Sequence, residues 1–275
     1  ASSIPVGPSD DLSAMLQEND LNPEVPEGTE YYLPAGSSYR VTPFELAKGF
    51  RLVGSSDGVK PKVILDDWWK IAEGSYITSL EFENIEFQHA SNNKYFMNAD
   101  KSFTLESVSF VNCDFIGLTR GFWRHQQATS KHIMNFEVEG CRFDKCGWQT
   151  GSYGLVDLRS FNDPTSYDQI DKAVFRNCTF SRDNDGTAGF GWGNLFYAPY
   201  VDKPIQLEFK NITIYNYSLN KRLINISSAV GSELTIEGMV LASPSGDLYV
   251  AGANTTTHFS NNYTTKDYAL GGAKM

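Results

Sequence analysis

The sequence predicts an all-β protein, a single-stranded right-handed parallel β-helix with a short N-terminal capping helix. The first observation is an eight-residue motif, apolar-x-apolar-x-Asn/Gly-apolar-x-apolar, that recurs along the chain. Its copies are LEFENIEF at 80–87, VSFVNCDF at 108–115, FEVEGCRF at 136–143, AVFRNCTF at 173–180, LEFKNITI at 207–214 and LTIEGMVL at 234–241. The second observation is the spacing of the central Asn/Gly positions, which is 28, 28, 37, 34 and 27 residues. Repeats of this size cannot bury an apolar face alone and are therefore expected to stack.

Each copy of the motif predicts a strand, a bend and a second strand. Apolar and polar residues alternate before the central position, which is typical of a strand because residues i and i+2 share a face. Apolar residues then follow directly, so the chain must bend, and Asn and Gly tolerate the left-handed conformation of such a bend. We call these central residues the pivots: Asn84, Asn112, Gly140, Asn177, Asn211 and Gly238. An all-β sandwich, the alternative fold, would not repeat one pivot in the same register six times.

A second set of strands lies between the motifs, and the N-terminal segment leads into the coil. The second set is YFMNAD, GFWRHQ, GLVDLRS, NLFYAP, RLINISS and DLYVAG. Residues 10–19, DDLSAMLQEN, place acidic residues ahead of an amphipathic stretch and predict the capping helix. We expect a single domain over 1–275, with the cap at 1–45, the turns of the coil at 46–252 and a C-terminal strand or tail at 253–275.

Charge and composition exclude several partners. The net charge of −10 argues against nucleic acid as a bulk partner, because neutralising phosphates needs a basic surface. No run of 18 apolar residues is present, so no membrane span is expected. The first residues, ASSIPVGPSDD, lack the basic and apolar regions of a signal peptide, which we expect to have been removed already. The four cysteines form no CxxC pair, so a zinc site is not expected.

Several segments resemble a known family of β-helix proteins. YYLPAG, FRLVGSS and PKVILDD near the N-terminus, FVNCDF and FRNCTF in the repeats, NLFYAP, and the late SNNYTTKDY are similar to pectate-lyase-like proteins, in particular the pectin-lyase-like domains of Bacteroidetes glycan-utilisation systems. The resemblance covers residues 29–268. It implies an exported monomer, extracellular, on the outer surface or periplasmic, whose partner is a polysaccharide or oligosaccharide. Because the matching residues are mainly core and turn residues, the resemblance bears more on fold than on function.

Aligning the second-set strands places polar residues in two outward columns. The first, which we call the polar column, is Asn98, Arg124, Asp157, Tyr197 and Asn225. The second is Asp100, Gln126, Arg159, Pro199 and Ser227. In a glycan groove the two arginines would bind carboxylate or hydroxyl groups, the two aspartates would accept hydroxyl hydrogens or hold a cation, and the tyrosine would stack. The alternative is an ordinary solvated sheet face.

Further candidates come from aromatic and basic residues. Trp123, and Trp192 in the GFGWG loop at 189–193, would bind substrate by stacking. A β-elimination lyase needs a base and a group that neutralises the uronate, for which the candidates are Arg124, Lys131 and Arg159. The Asp clusters for Ca²⁺ and the Arg-x-Pro-x-x-Arg element of lyase families are missing, so no cofactor is expected. A glycoside hydrolase is disfavoured because the NTD, DD and GHG motifs of polygalacturonases are also missing.

The cysteines are expected to be structural. Cys113, Cys141 and Cys178 follow pivots directly, at the position that apolar residues occupy in the other copies, which predicts free, buried thiols in the core. The leading functional hypothesis is an exported, cell-surface, glycan-binding β-helix. A polysaccharide lyase acting on a uronate-containing polysaccharide is the second hypothesis. The third is a structural or adhesive β-helix that binds a protein partner.

Overall fold

A computed structural model describes residues 3–147, 154–160, 165–181, 194–215, 222–242 and 248–264, and the backbone of 269–270 and 273–274. Trp148, Trp192 and the rest of the GFGWG loop lie outside the described residues. The elements in chain order are β1 (Ser3–Pro5), α1 (Leu12–Leu21), β2 (Glu30–Leu33), β3 (Ser38–Val41), β4 (Glu45–Leu46), β5 (Arg51–Gly54), β6 (Lys62–Leu65), β7 (Lys70–Ile71), β8 (Ser75–Ile77), β9 (Leu80–Glu83), β10 (Glu86–His89), β11 (Met97–Ala99), β12 (Phe103–Val111), β13 (Asp114–Ile116), β14 (Trp123–His125), β15 (Lys131–Glu139), β16 (Arg142–Asp144), β17 (Gly154–Leu158), β18 (Asp168–Ser181), β19 (Asn194–Tyr197), β20 (Gln206–Tyr215), β21 (Ile224–Ile226), β22 (Glu233–Glu237), β23 (Val240–Ala242), β24 (Tyr249–Ala251), β25 (Thr256–Ser260), β26 (Tyr263–Thr264), β27 (Ala269–Leu270) and β28 (Ala273–Lys274).

These strands form a parallel β-helix, as the repeats predicted. Strands before and after the pivots belong to one strongly curled sheet, whose two parts we call the pre-pivot and post-pivot faces. Strands β11, β14, β17, β19, β21 and β24 pair in that order and form a separate third face. Among the described strands, only the short β27–β28 pair is antiparallel. Each turn of the coil therefore places its strands directly on those of the turn before it.

The pivots form one column along the coil, which confirms the predicted register. All six have a left-handed backbone, with φ between 52° and 66°. The residues before them are paired in an unbroken series from β9 through β12, β15, β18 and β20 to β22. Asn261 adopts the same conformation, with φ 53°, one turn beyond the last copy of the motif. Asn261 therefore acts as a seventh pivot, at the end of β25, in a turn of the coil that lacks a copy of the motif.

Side-chain amides link neighbouring pivots. Asn112 donates from Nδ2 to Oδ1 of Asn84 at 2.6 Å, and Asn211 donates to Oδ1 of Asn177 at 3.2 Å. Gly140 has no side chain to continue the ladder, and Asn177 donates instead to the carboxylate of Glu139 at 2.9 Å. The turn is thus stabilised both by residues that tolerate positive φ and by hydrogen bonds along the axis.

The interior is built from the same register. Phe87, Phe115, Phe143 and Phe180 form a parallel stack, with ring centroids 5.4, 4.8 and 4.8 Å apart. All four cysteines are buried and free, which confirms the expectation for Cys113, Cys141 and Cys178. The stacked core explains why equivalent positions in successive turns hold residues of similar size.

The N-terminal helix begins later than the sequence indicated. Asp11 is the N-cap of α1 and accepts a hydrogen bond from the Ala14 amide at 3.0 Å, while Asp10 accepts one from the Gly7 amide. Leu12 and Leu16 are buried, so the helix packs its apolar side on the N-terminal end of the core. Strands β2 and β3, within the segment 1–45, already pair with β5 and β6. Within the described part of the chain, no helix has the length and hydropathy needed to cross a bilayer.

Substituting Asn112 tests the pivot. Asn112→Ala should lower the free energy of unfolding by about 2–3 kcal/mol, because alanine loses the amide hydrogen bond and is strained at positive φ. Asn112→Gly is the matched control: it loses the same hydrogen bond without the strain and should cost about 1 kcal/mol. Urea unfolding of both variants measures the difference. Equal losses would mean that the left-handed backbone contributes nothing.

The four thiols should be unreactive in the native protein. Burial raises the pKa of Cys146 to about 12 and also raises the pKa values of Cys141 and Cys178. Because the thiolate is the reactive species, we expect a disulfide reagent at pH 8 to label no cysteine before unfolding and all four in urea. Counting labels by mass spectrometry measures this. Rapid labelling of the native protein would contradict the buried placement.

Candidate functional site

The polar column forms as the sequence predicted. Asn98, Arg124, Asp157, Tyr197 and Asn225 are Cα partners on the consecutive strands β11, β14, β17, β19 and β21. The residues on either side of each member, such as Met97 and Ala99 around Asn98, are buried. Because alternate residues of a strand point to opposite sides, the column lies on the outer surface of the third face.

Lys70 extends the column by one turn towards the N-terminus. Trp69 pairs with Met97 in an isolated parallel bridge, so the next residue, Lys70, lies beside Asn98. Its ammonium is 2.8 Å from Oδ2 of Asp100, a member of the second column. Lys70 was not predicted from the sequence because it lies outside the five aligned second-set strands.

Tyr95 is a second residue of this face that was not predicted from the sequence. Its ring is fully buried, and its hydroxyl lies 3.4 Å from the Gly154 carbonyl and 3.5 Å from Oδ2 of Asp157. A Cβ on Gly121 would lie only 2.3 Å from Cε1 of the Tyr95 ring, so the ring needs a glycine there. The aligned second-set strands did indicate this packing, because the next two strands have glycines, Gly121 and Gly154, at the position equivalent to Tyr95.

Asp157 is a buried carboxylate held by an arginine. Arg159 Nε donates to Oδ1 at 2.9 Å and Nη2 donates to Oδ2 at 3.2 Å, a two-point contact, and the Gly154 amide adds a bond of 2.8 Å. Burial raises the pKa of Asp157, and the Arg159 charge opposes that rise. The guanidinium of Arg159 also lies over the ring of Tyr197, 5.1 Å from its centroid. The ion pair with Asp157 therefore orients the Arg159 guanidinium, which in turn packs against the Tyr197 ring.

Cationic side chains predominate around Tyr95 and Asp157. The guanidinium carbons of Arg120 and Arg124 lie 5.9 and 5.7 Å from the centroid of the Tyr95 ring, within the range of cation–π attraction. Within the described part of the chain, Lys70 and Arg159 bring the cations on this face to four, beside the carboxylates of Asp100 and Asp157. Asn98 is buried beside them, and its amide oxygen and nitrogen have no hydrogen-bond partner in the described part of the chain. The column thus combines excess positive charge with further hydrogen-bonding capacity.

Two of the predicted site residues lie inside the coil. Trp123 is fully buried, and its Nε1 donates to Nε2 of His125 at 2.8 Å. His125 therefore carries its proton on Nδ1 and donates it to Oδ1 of Asp168 at 2.8 Å. Lys131 is also fully buried, and its ammonium donates to oxygens of Gln127, Thr129 and Ser160. Burial lowers the pKa of Lys131 to about 8.

The other candidates divide between the surface and the interior. Arg124, Arg159, Tyr197 and Asn225 are partly exposed, whereas Asn98 and Asp157 are buried beneath the surface of the same column. Among the described residues, no group of three or more His, Cys, Asp or Glu side chains is arranged to hold a metal ion. The two aspartates considered for a cation are instead paired with Lys70 and Arg159.

Comparison with known proteins adds no identification. The chain matches no protein-family model, and neither the curated proteins nor the solved structures show a significant similarity to it. The geometry of the third face is therefore the basis for any functional proposal.

The placement of Tyr95 can be tested at Gly121. Gly121→Ala should cost about 1–3 kcal/mol of stability, because the added methyl group overlaps the Tyr95 ring. In a Tyr95→Ala background that cost should fall by about 1 kcal/mol or more, because the overlap with the ring is gone. The remaining cost would come from the contact between the added methyl group and the Gly154 carbonyl oxygen, 2.9 Å apart. Urea unfolding of the four proteins in this cycle measures the coupling. The same cost in both backgrounds would contradict the packing of Tyr95 against Gly121.

Proposed function

We propose that the protein is an exported, cell-surface, glycan-binding β-helix of a carbohydrate-utilisation system, and that its coil is of the pectin-lyase-like type. The ligand is an acidic polysaccharide, in which uronate carboxylates alternate with hydroxyl groups. The observation that carries the proposal is the cationic and aromatic column on the third face, centred on Arg124. Arginine binds carboxylates through paired hydrogen bonds, and tyrosine offers an apolar face to a sugar ring.

Local charge supports an anionic ligand. The protein as a whole carries a net charge of −10, which repels polyanions at long range. At physiological ionic strength such repulsion is screened beyond about 8 Å, so the charges nearest the ligand dominate. Among the described residues, Lys70, Arg120, Arg124 and Arg159 lie on this face, and its two carboxylates, Asp100 and Asp157, are already paired with Lys70 and Arg159. An approaching carboxylate therefore meets a positive surface.

The dimensions of the column suit a chain of several sugars. From Lys70 to Asn225 it crosses six strands in succession. Neighbouring strands lie about 4.8 Å apart, which makes the column about 24 Å long. A polysaccharide lying along the axis of the coil would pass the partly exposed members of the column, Lys70, Arg124, Tyr197 and Asn225, in turn.

The arrangement favours binding over β-elimination. A lyase needs a group that removes a proton from the sugar, and Lys131, one candidate, is buried inside the coil. Burial raises the pKa values of Tyr95 and Tyr197, so both phenols stay protonated near neutral pH and act as hydrogen-bond donors. Arg124 and Arg159 are partly exposed on the third face, where they can neutralise a uronate. A lyase remains the alternative, with these two arginines in its site.

Titration calorimetry with hexagalacturonate tests the proposal. We expect saturable binding by the parent protein, and Arg124→Ala should weaken it by about 1.5–3 kcal/mol, the contribution of a charged hydrogen bond. The matched control is Arg176→Ala, because Arg176 is comparably exposed and lies on the pre-pivot face, away from the column. Both variants should melt at nearly the parent temperature.

The other outcomes separate the alternatives. Ultraviolet absorbance of an unsaturated uronate product would identify a lyase, and Arg124→Ala would then lower turnover more than affinity. If the parent binds no acidic glycan, or if Arg124→Ala and Arg176→Ala bind like the parent, the polar column is not the site. A β-helix that binds a protein partner would then be the better hypothesis.

A further inference from the structure

A shallow groove lies on a different part of the coil from the polar column. It has a volume of about 190 Å³ and crosses four successive turns at the start of the pre-pivot face. Its lining includes Tyr76, Ser102, Phe103, Thr104, Ser130 and Tyr167. We call it the tyrosine groove. Since the strands beneath it lie about 4.8 Å apart, the groove extends for about 14 Å along the axis.

The two tyrosines are exposed. Tyr76 is 58% exposed and Tyr167 is 45% exposed, so each presents much of its ring to solvent. The Tyr76 hydroxyl lies close to the Glu106 carboxylate. The Tyr167 backbone is fixed on both sides, by its carbonyl accepting from Lys131 and its amide donating to Ser130 Oγ. Both rings are therefore accessible to a ligand that stacks on them.

The hydroxyl groups between the tyrosines retain donor capacity. Ser102 Oγ accepts a hydrogen bond from the Ser130 amide at 3.1 Å, and Ser130 Oγ accepts one from the Tyr167 amide at 3.4 Å. Neither hydroxyl donates to another group within the described part of the chain, so each can donate its proton to a ligand. Thr104 lies in register with Tyr76 on the adjacent strand and adds a third hydroxyl.

The groove carries no charged lining residue, which distinguishes it from the polar column. Its lining consists of glycine, serine, threonine, phenylalanine and tyrosine only. Two carboxylates lie at its margin. Glu106 lies close to the Tyr76 hydroxyl, and Glu73 accepts a hydrogen bond from the Ser102 amide at 3.0 Å. A carboxylate or phosphate ligand would be repelled there. An uncharged ligand with one apolar face and several hydroxyl groups would match the lining.

We infer that the tyrosine groove is a second binding site, and that its ligand is a neutral oligosaccharide. A neutral pyranose presents C–H groups on its face to a tyrosine ring and hydroxyl groups at its edge to Ser102, Thr104 and Ser130. The cavity holds one ring, and the exposed strip along the axis accommodates its neighbours in the chain. This inference is independent of the proposed function of the polar column, because the two surfaces share no residue.

Calorimetry with cellohexaose, mannohexaose and galactohexaose tests the inference. We expect the parent protein to bind at least one of them, and Tyr76→Ala and Tyr167→Ala each to weaken binding roughly tenfold. The matched control is Tyr215→Ala, because Tyr215 is 48% exposed and lies on the post-pivot part of β20. All three variants should melt like the parent, since the substituted rings are solvent-exposed.

The outcomes separate this site from the polar column. Tyr76→Ala should leave hexagalacturonate binding unchanged, and Arg124→Ala should leave neutral oligosaccharide binding unchanged. The inference is overturned if the parent binds none of the three neutral hexasaccharides, or if the tyrosine variants bind them like the parent. It is also overturned if neutral binding is lost in Arg124→Ala alone, which would place those ligands on the column.

Discussion

Each turn of this coil depends on one residue in the left-handed conformation at the corner between the pre-pivot and post-pivot faces. The pivot turns the chain while the residues on both sides keep pointing inward, so the core continues around the corner. Asparagine satisfies the backbone requirement and adds an amide that bonds to the next turn, as Asn112 does with Asn84. Glycine satisfies only the backbone requirement. At Gly140 the amide of the next pivot, Asn177, therefore donates its hydrogen bond to the Glu139 carboxylate. A fixed corner holds the register, and the fixed register aligns everything else on the coil.

That alignment has opposite consequences on the two sides of the sheet. Inside, equivalent positions form stacks, among them the four phenylalanines from Phe87 to Phe180. Outside, the same alignment converts single polar residues into a continuous column, with Arg124 and Asp157 as Cα partners. Charged side chains are also buried where the chain turns from the third face into the pre-pivot face. Asp168 pairs there with His125, while the Lys131 ammonium is surrounded by oxygen acceptors that compensate its loss of water.

Two outward surfaces of one coil thus differ in chemistry. Four cations of the described residues lie on or beside the polar column in a protein of net negative charge, whereas the tyrosine groove is lined by uncharged residues with carboxylates at its margin. Both run along the axis, the direction in which a repeating polymer would present the same group to successive turns. A β-helix can hold separate ligand surfaces in this way because each turn contributes one strand to each face.

The sequence by itself determined the parallel coil, the pivots, the register of the polar column and the burial of the thiols. Each of these depends only on a turn and its neighbours, so periodicity alone reveals them. It also contained the evidence against Trp123 as a surface residue, since adjacent residues of a strand point in opposite directions. Tertiary structure decided what is not periodic. Lys131 lies inside because its partners in register, Phe103 and Asp168, are buried, and Tyr95 lies across the third face because Gly121 leaves room for its ring. Such placements depend on clearance between particular side chains at the corners, where the chain bends and the alternation that predicts orientation is lost.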